Sequence, residues 1–422
     1  MGILITKFLL LFYLLWSVAT APVKAEPVTV TVLMPAVEVV EWAPLVADFN
    51  RERTDVQIQM LEGPAFTDQL ESLYTTALLL GKSPYDVMNI DVSWLPKFAA
   101  AGWLLDLNPL LSPQEQGEFL SPDLRGGQFR SGLYRLPTYT GVGLLYYRQD
   151  LLQEAGLPAP KTFDDLLQDS QTLQSQGKVQ WGYLWQGKQY EGLAAMFLEV
   201  LTGFGGVWVD PNSLTVGLDT PESIKALEFL QTALKTGVSP PGSTAYAEED
   251  TRYLFQAGKA LFLRNWPYAY PLLNAKDSPV AGKFAVQGMV HQPGHPLGAC
   301  QGGWGLGISS QSPHPEAAWE VVRYLTSPDA QKQFALKTGK IPARKALFQD
   351  PEILSQFPYY SALYPILEQA TLRPPITQYA QASDILQRYL SAALTGKLTA
   401  SAALARAAAE TRQLLTGASS RG

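Results

Sequence analysis

Trp266, in Arg264-Asn265-Trp266-Pro267-Tyr268, and Trp304, in Gly302-Gly303-Trp304-Gly305, are large rings placed beside small or ring-bearing neighbours. Asp91-Val92-Ser93-Trp94 closes an apolar run near the N-terminus. A pyranose has a C–H face that packs on an aromatic ring and a hydroxyl rim that bonds carboxylates, amides and guanidinium. Aromatic walls with a few polar groups are the makings of a sugar pocket. No catalytic motif accompanies them, so the pattern points to capturing a sugar rather than cutting one.

These residues need elements to hold them. Residues 28–34 alternate β-branched side chains and predict a strand. A loop with Glu38 and Glu41 is expected next. Trp42, Leu45, Val46 and Phe49 then fall at i, i+3, i+4 and i+7, one face of a helix with Pro44 in its first turn. A second strand is predicted over 56–60, a helix over 66–80 ending at Gly81, and a third strand over 85–90. This order implies a parallel sheet covered by helices. Ligands of such sheets sit beyond the carboxyl ends of the strands. The Glu38 loop, the 61–67 loop and Asp91 are therefore expected on one rim.

The chain has 422 residues, more than one compact core usually holds, so two lobes are expected. Extended segments within 133–148 suggest a first passage between lobes at 137–143. Beyond it, helices are predicted near 162–176, 190–203, 221–236 and 249–257, with strands near 181–185 and 260–264. Residues 284–290 read as extended and are expected to cross back, 305–309 continue extended, and 315–338 reads as helical. Ile341-Pro342-Ala343-Arg344 suggests a third crossing, and the rest is helical to about 415. The expected division is 26–138 and 289–341 for the N-lobe, 139–288 and 342–415 for the C-lobe, and 416–422 as a flexible tail.

Residues 1–25 read as a secretory leader. Lys7 is its positive start, 8–18 its apolar stretch, and Val23-Lys24-Ala25 presents small residues at −3 and −1. Cleavage is expected after Ala25, because a cut after Ala21 would place Pro22 at +1. Cys300 is the sole cysteine, so neither lipid attachment after the leader nor an internal disulfide is available. A soluble chain released across a membrane suits the periplasm. Removal of Lys7 and Lys24 leaves 30 positive against 38 negative residues, a net charge of −8. An acidic chain without a basic stripe is a poor partner for nucleic acid or an anionic membrane.

Several stretches resemble the extracellular sugar-binding proteins of bacterial ABC importers, the maltose- and trehalose-binding group. They are 146–166 (YYRQDLLQEAGLPAPKTFDDL), 255–268 (FQAGKALFLRNWPY), 302–309 (GGWGLGIS) and 317–327 (AAWEVVRYLTS), followed by Gln333-Phe334-Ala335, Gly339 and Pro342-Ala343-Arg344. Residues 185–192 (WQGKQYEG) and 373–379 (RPPITQY) look closest to trehalose/maltose-binding members. The resemblance implies a two-lobe periplasmic-binding-protein fold, each lobe a mainly parallel sheet flanked by helices, with three interlobe crossings. It implies a sugar ligand, membrane permease subunits as partners, a monomer, and no cofactor. It places sugar contacts on Glu38, Asp91, Tyr139, Trp266, the Gly303 backbone, Trp304 and Arg373, with Thr67 a weaker match. Similar trehalose binders carry an aspartate where Gly141 stands here, and a basic contact expected near Leu70 is missing. Those differences leave trehalose, sucrose, maltose and glucosylglycerol all in play.

Each residue also has a plainer reading. Asp91 could cap the following helix, Glu38 could be a solvated loop carboxylate, and Trp266 a core residue. Tyr139 could be hinge packing and Arg373 half of a surface ion pair. Tyr190 and Glu191 line the pocket or simply start a helix. His291 and His295 with Cys300 superficially resemble metal spacing, but Pro293-Gly294 makes a turn of them. A glycoside hydrolase using Glu38 and Asp91 as its carboxyl pair is the alternative function.

Overall fold

The computed structural model describes residues 26–81 and 83–419. The expected leader and the last three residues of the expected tail lie outside them. The final helix, Ala400–Ser419, runs on beyond Thr416, where that tail was expected to begin. No described helix is long and apolar enough to cross a membrane.

The strands are β1 (Val28–Pro35), β2 (Val56–Gly63), β3 (Val87–Asp91), β4 (Gln128–Phe129), β5 (Gly132–Leu133), β6 (Leu136–Val142), β7 (Leu144–Tyr147), β8 (Trp181–Leu184), β9 (Ala260–Asn265), β10 (Ala285–Gly288) and β11 (Gln301–Ile308). One sheet has the order β2-β1-β3-β11-β6 and a second the order β10-β7-β9-β8, while β4 and β5 form a small ribbon. The two sheets with their flanking helices form the expected two-lobe α/β architecture.

β1 pairs in parallel with both β2 and β3. The helix Ala36–Glu52 between β1 and β2 buries Trp42, Leu45, Val46 and Phe49, the stripe its periodicity requires. It begins directly after β1, so Glu38 stands in its first turn and not in a loop. Val37, Val39 and Val40 conceal this start, since β-branched residues weaken helix propensity. Pro35 precedes the helix and Glu38 suits its positive N-terminal end. Pro44 lies well inside the helix and cannot donate to the Val40 carbonyl. Lys337 Nζ donates to that oxygen instead, at 3.3 Å, and to the Glu41 carbonyl at 3.0 Å.

The strand directions are more mixed than expected. β11 is antiparallel to β3 and β6, and in the second sheet only β8 and β9 are parallel. Parallel pairs require helical crossovers. β6 and β11 join the first sheet on either side of the excursion through the second, so no such crossover sets their direction.

The chain passes between sheets at Gly143, the single residue separating β6 from β7. It returns between β10 and β11. It leaves the first sheet again after the helix Pro328–Thr338, where Ile341 bridges to Thr140 and Arg344 to Phe119. The first core gathers Val30, Val32, Trp42, Phe49, Ile308 and Phe334. The second gathers Phe163, Tyr183, Trp185, Phe197 and Leu386.

Candidate functional site

The register of β11 assembles one half of the site. Trp304 pairs with Asp91 of β3 on one side and with Tyr139 of β6 on the other. Residues directly opposite on neighbouring strands are side-chain neighbours. Gly303 has φ +100°, and a Cβ there would lie 2.6 Å from the Tyr139 carbonyl oxygen. Only glycine holds that backbone without strain. The register shifts between Trp304 and Gly305, the kind of irregularity that re-aims a side chain. Trp304 is half-buried and meets Trp94 edge-on, with ring centres 5.3 Å apart. The strand starts at Gln301, earlier than the 305–309 reading, because glycines at 302, 303, 305 and 307 mask its β character.

Asp91 and Arg373 are brought together. Arg373 Nη2 donates to Asp91 Oδ1 at 2.7 Å, and Nη1 donates to Glu191 Oε1 at 2.8 Å. Asp91 Oδ1 also accepts from Ser93 N at 2.9 Å and Ser93 Oγ at 2.6 Å. The turn-capping role and the guanidinium contact thus coexist. Glu191 opens the helix Glu191–Gly203 of the second lobe and accepts from Tyr379 and, at 2.6 Å, from Ser383. One guanidinium therefore ties the end of β3 to the other lobe. Its segment is pinned beside β11 by Gln301 N to Thr371 O at 2.8 Å and Thr371 N to Ala299 O at 2.7 Å. Burial opposes the charge on Arg373, but Asp91, Tyr379 and Glu191 outweigh it and raise its pKa well above the usual value. The buried Arg373 Nε has no protein partner among the described residues.

Glu38 is buried beside Tyr139, which donates to its Oε1, and Asn89, which donates to Oε2 at 2.8 Å. Lys340 Nζ lies 3.5 Å from Glu38, bonds Glu41, and sits 4.7 Å from the centre of the Tyr139 ring. Phe334 stacks between Trp42 and Tyr139, with centroids 3.9 Å and 5.8 Å away. Tyr139 thus packs its ring on Phe334 of the first core and gives its hydroxyl to Glu38.

On the second sheet, Trp266 directly follows β9 and is half-buried. Its Nε1 donates to Glu248 Oε1 at 3.3 Å, and Tyr190 donates to Glu248 Oε2 at 2.6 Å. A Cβ on Gly302 would lie 3.0 Å from the Trp266 ring, so the indole abuts β11 two residues before Trp304. Tyr139, Tyr190 and Tyr379 are all held well above the usual phenol pKa, first by burial and next by the carboxylate each one serves. They stay neutral donors.

Thr67 opens the helix Thr67–Leu79, half-buried and outside this network. Leu70 is fully buried in the apolar cluster with Leu33 and Tyr74, while Lys97 bonds the neighbouring Glu71 at 3.1 Å. Gly141 faces Pro267, and a Cβ would lie 3.5 Å from its Cδ, an ordinary contact. Cys300 is buried just before β11, and burial pushes its thiol up to about 12. Glu248, Lys340, Asn89 and Tyr379 join the network without having been anticipated. Glu248-Glu249-Asp250 reads only as an acidic helix start, and Lys340 as a polar residue after a glycine turn.

The model of the bacterial extracellular solute-binding protein family matches residues 36–332. A probable ABC transporter-binding protein of Deinococcus radiodurans is 33% identical over 359 residues, covering 83% of this chain and 85% of its own. The maltose-bound MalE3 of T. maritima superposes with a TM-score of 0.85 at 36% identity, covering 92% of this chain and all of that one. A solute-binding protein of Thermotoga lettingae bound to α-D-tagatose gives a TM-score of 0.80 at 27% identity over 93% of this chain and all of its own. The paired lobes, the site assembled where their sheets meet and the length of these matches lead to one assignment: the chain belongs to the bacterial extracellular solute-binding proteins.

Proposed function

We propose that the protein is the substrate-binding component of an ABC sugar importer. It captures an uncharged disaccharide or similar glucoside, such as trehalose, sucrose, maltose or glucosylglycerol, between two hinged lobes. It then delivers the sugar to the permease subunits in the membrane. It is released to the periplasm by cleavage after Ala25 and works as a monomer without a cofactor.

The observation that carries this reading is the Asp91–Arg373–Glu191 bridge, with Trp304 paired to Asp91 on the first sheet and Trp266 against Gly302 of the same strand β11. Hydroxyl-bonding groups with aromatic rings on the same strand suit a pyranose. Glu38, Glu41, Asp91, Glu191 and Glu248 outnumber the cations Lys340 and Arg373 among these groups. That excess disfavours phosphorylated or carboxylated sugars through like-charge repulsion. The 36% identity to a maltose-bound structure supports a glucoside. The lobes and their three crossings suit hinge closure over the ligand.

A hydrolase needs a carboxyl pair free to trade protons across a glycosidic bond. Asp91 is committed to Arg373 and Ser93, and Glu38 to Tyr139 and Asn89. Calorimetric titration of residues 26–422 with the four sugars tests the proposal. A dissociation constant of about 1 μM, near −8 kcal/mol, for one of them with the sugar recovered intact is expected. Binding of none by a folded sample, or sugar cleavage, overturns it.

A further inference from the structure

Arg264 on β9 and Glu199 in the helix Glu191–Gly203 are both fully buried. Arg264 Nε donates to Glu199 Oε2 at 2.7 Å, Nη2 donates to Oε1, and Nη1 donates to Gln186 Oε1 at 3.1 Å. Gln186 in turn donates to the Arg264 carbonyl at 3.0 Å and to Thr251 at 2.9 Å. Every nitrogen of the guanidinium is engaged, so its plane is fixed. Its carbon lies 4.1 Å from the centre of the Trp266 ring, within cation–π range.

The carboxylate end of the pair touches the crossings between lobes. A Cβ on Gly143 would overlap the Glu199 carboxylate, and one on Gly298 would overlap the Glu199 backbone carbonyl. Burial pushes the Glu199 carboxyl up, with Arg264 and then the backbone N–H of Cys300 working against it. Gly143 is the first crossing, and Gly298 to Cys300 leads the second into β11. A single ion pair thus meets both crossings at one end and an indole at the other. Well-packed apolar residues often replace such buried pairs at no loss of stability. A buried pair of this kind is therefore weak evidence for a purely stabilising role.

We infer that Glu199 and Arg264 are positioning residues that set the Trp266 ring against the two crossings, presenting a preset aromatic wall to a sugar ring. The inference rests on the sugar-binding reading above for its ligand, but not for the placement of the ring. Arg264→Lys keeps the charge and loses the planar stack. Arg264→Met with Glu199→Met replaces the whole pair by apolar side chains of similar volume, and so covers the case in which a single variant strands a buried charge and fails to fold.

Two readouts separate the questions. Fluorine NMR of fluorotryptophan-labelled protein, assigned with Trp266→Phe, reports the Trp266 environment without ligand. Calorimetry reports affinity for a ring glucoside and for the acyclic polyol sorbitol. The expected result is a shifted or broadened Trp266 signal in both variants. The glucoside should bind roughly three- to tenfold more weakly, the size of a lost cation–π support, with the sorbitol constant unchanged. An unmoved Trp266 signal in the folded variants overturns the inference, and so does an equal loss for both ligands, the mark of a merely structural role. A moved signal in a protein that binds none of the sugars keeps the positioning role and removes the sugar reading.

Discussion

Replacing Arg373 by methionine tests the bridge between the lobes most directly. The side chains of Arg373, Asp91 and Glu191 are 5%, 9% and 17% exposed, so the charges are largely shielded from water. Removing one partner of a buried ion pair costs about 3–5 kcal/mol, because the remaining charge is stranded. The lower end applies here. Asp91 keeps both Ser93 bonds, and Glu191 keeps those from Tyr379 and Ser383. At ~2.1 cal/mol/K of unfolding entropy per residue, about 3 kcal/mol in a mature chain of this length lowers the melting temperature by about 4 °C. Scanning calorimetry of the ligand-free protein reads it. Arg373→Met/Asp91→Asn removes one of the stranded charges, so the double variant should melt above the sum of the two single losses, with a coupling of at least about 1 kcal/mol. A single variant that melts with wild type, or strictly additive losses, refutes the view that Arg373 holds the lobes through these carboxylates.

Asp123, in the helix Ser121–Arg125, is buried, accepts from Thr140 and Gln301 at 2.7 Å each, and is pushed up to about 7, chiefly by burial. Its folded value lies above its unfolded one, so the native state holds the extra proton and stability falls as pH rises from about 4 to about 7. Asp123→Asn should flatten the decline in melting temperature between pH 5 and 8, and an unchanged decline refutes the assignment. Gly141→Asp has room at its Cβ beside Pro267 and should fold normally. It should change the ratio of trehalose to sucrose affinity about tenfold, the weight of a charged hydrogen bond of ~1.5 kcal/mol; equal ratios by calorimetry would show that this position does not select the sugar. Gly303→Ala forces a Cβ to 2.6 Å from the Tyr139 carbonyl at φ +100°. It should lose roughly 1–3 kcal/mol of stability in urea unfolding, and wild-type stability would contradict the argument for glycine there.

Local pattern carried much of the fold. Alternation at β1 and the stripe of Trp42, Leu45, Val46 and Phe49 reflect two periodicities that each segment satisfies alone. Asp91 was legible because a strand end is a local feature, and the aromatic segments because their composition is unusual. Local propensity also misled: the valines at 37, 39 and 40 hid the helix that carries Glu38, and four glycines hid half of β11.

By itself, then, the sequence determined the elements, the strand-end carboxylate and the aromatic side chains, all of which follow from neighbours a few residues apart. Only the tertiary structure decided who meets whom. Trp304 lies between Asp91 and Tyr139 because β11 enters the sheet between β3 and β6. Arg373 reaches Asp91 across 282 residues and Glu191 across 182, and Glu199 meets Arg264 across 65. No spacing within a segment encodes such pairings. They arise when the two sheets close on their own cores and leave buried charges that must find partners far along the chain, within a lobe for Glu199 and Arg264 and between lobes for Arg373 and Asp91.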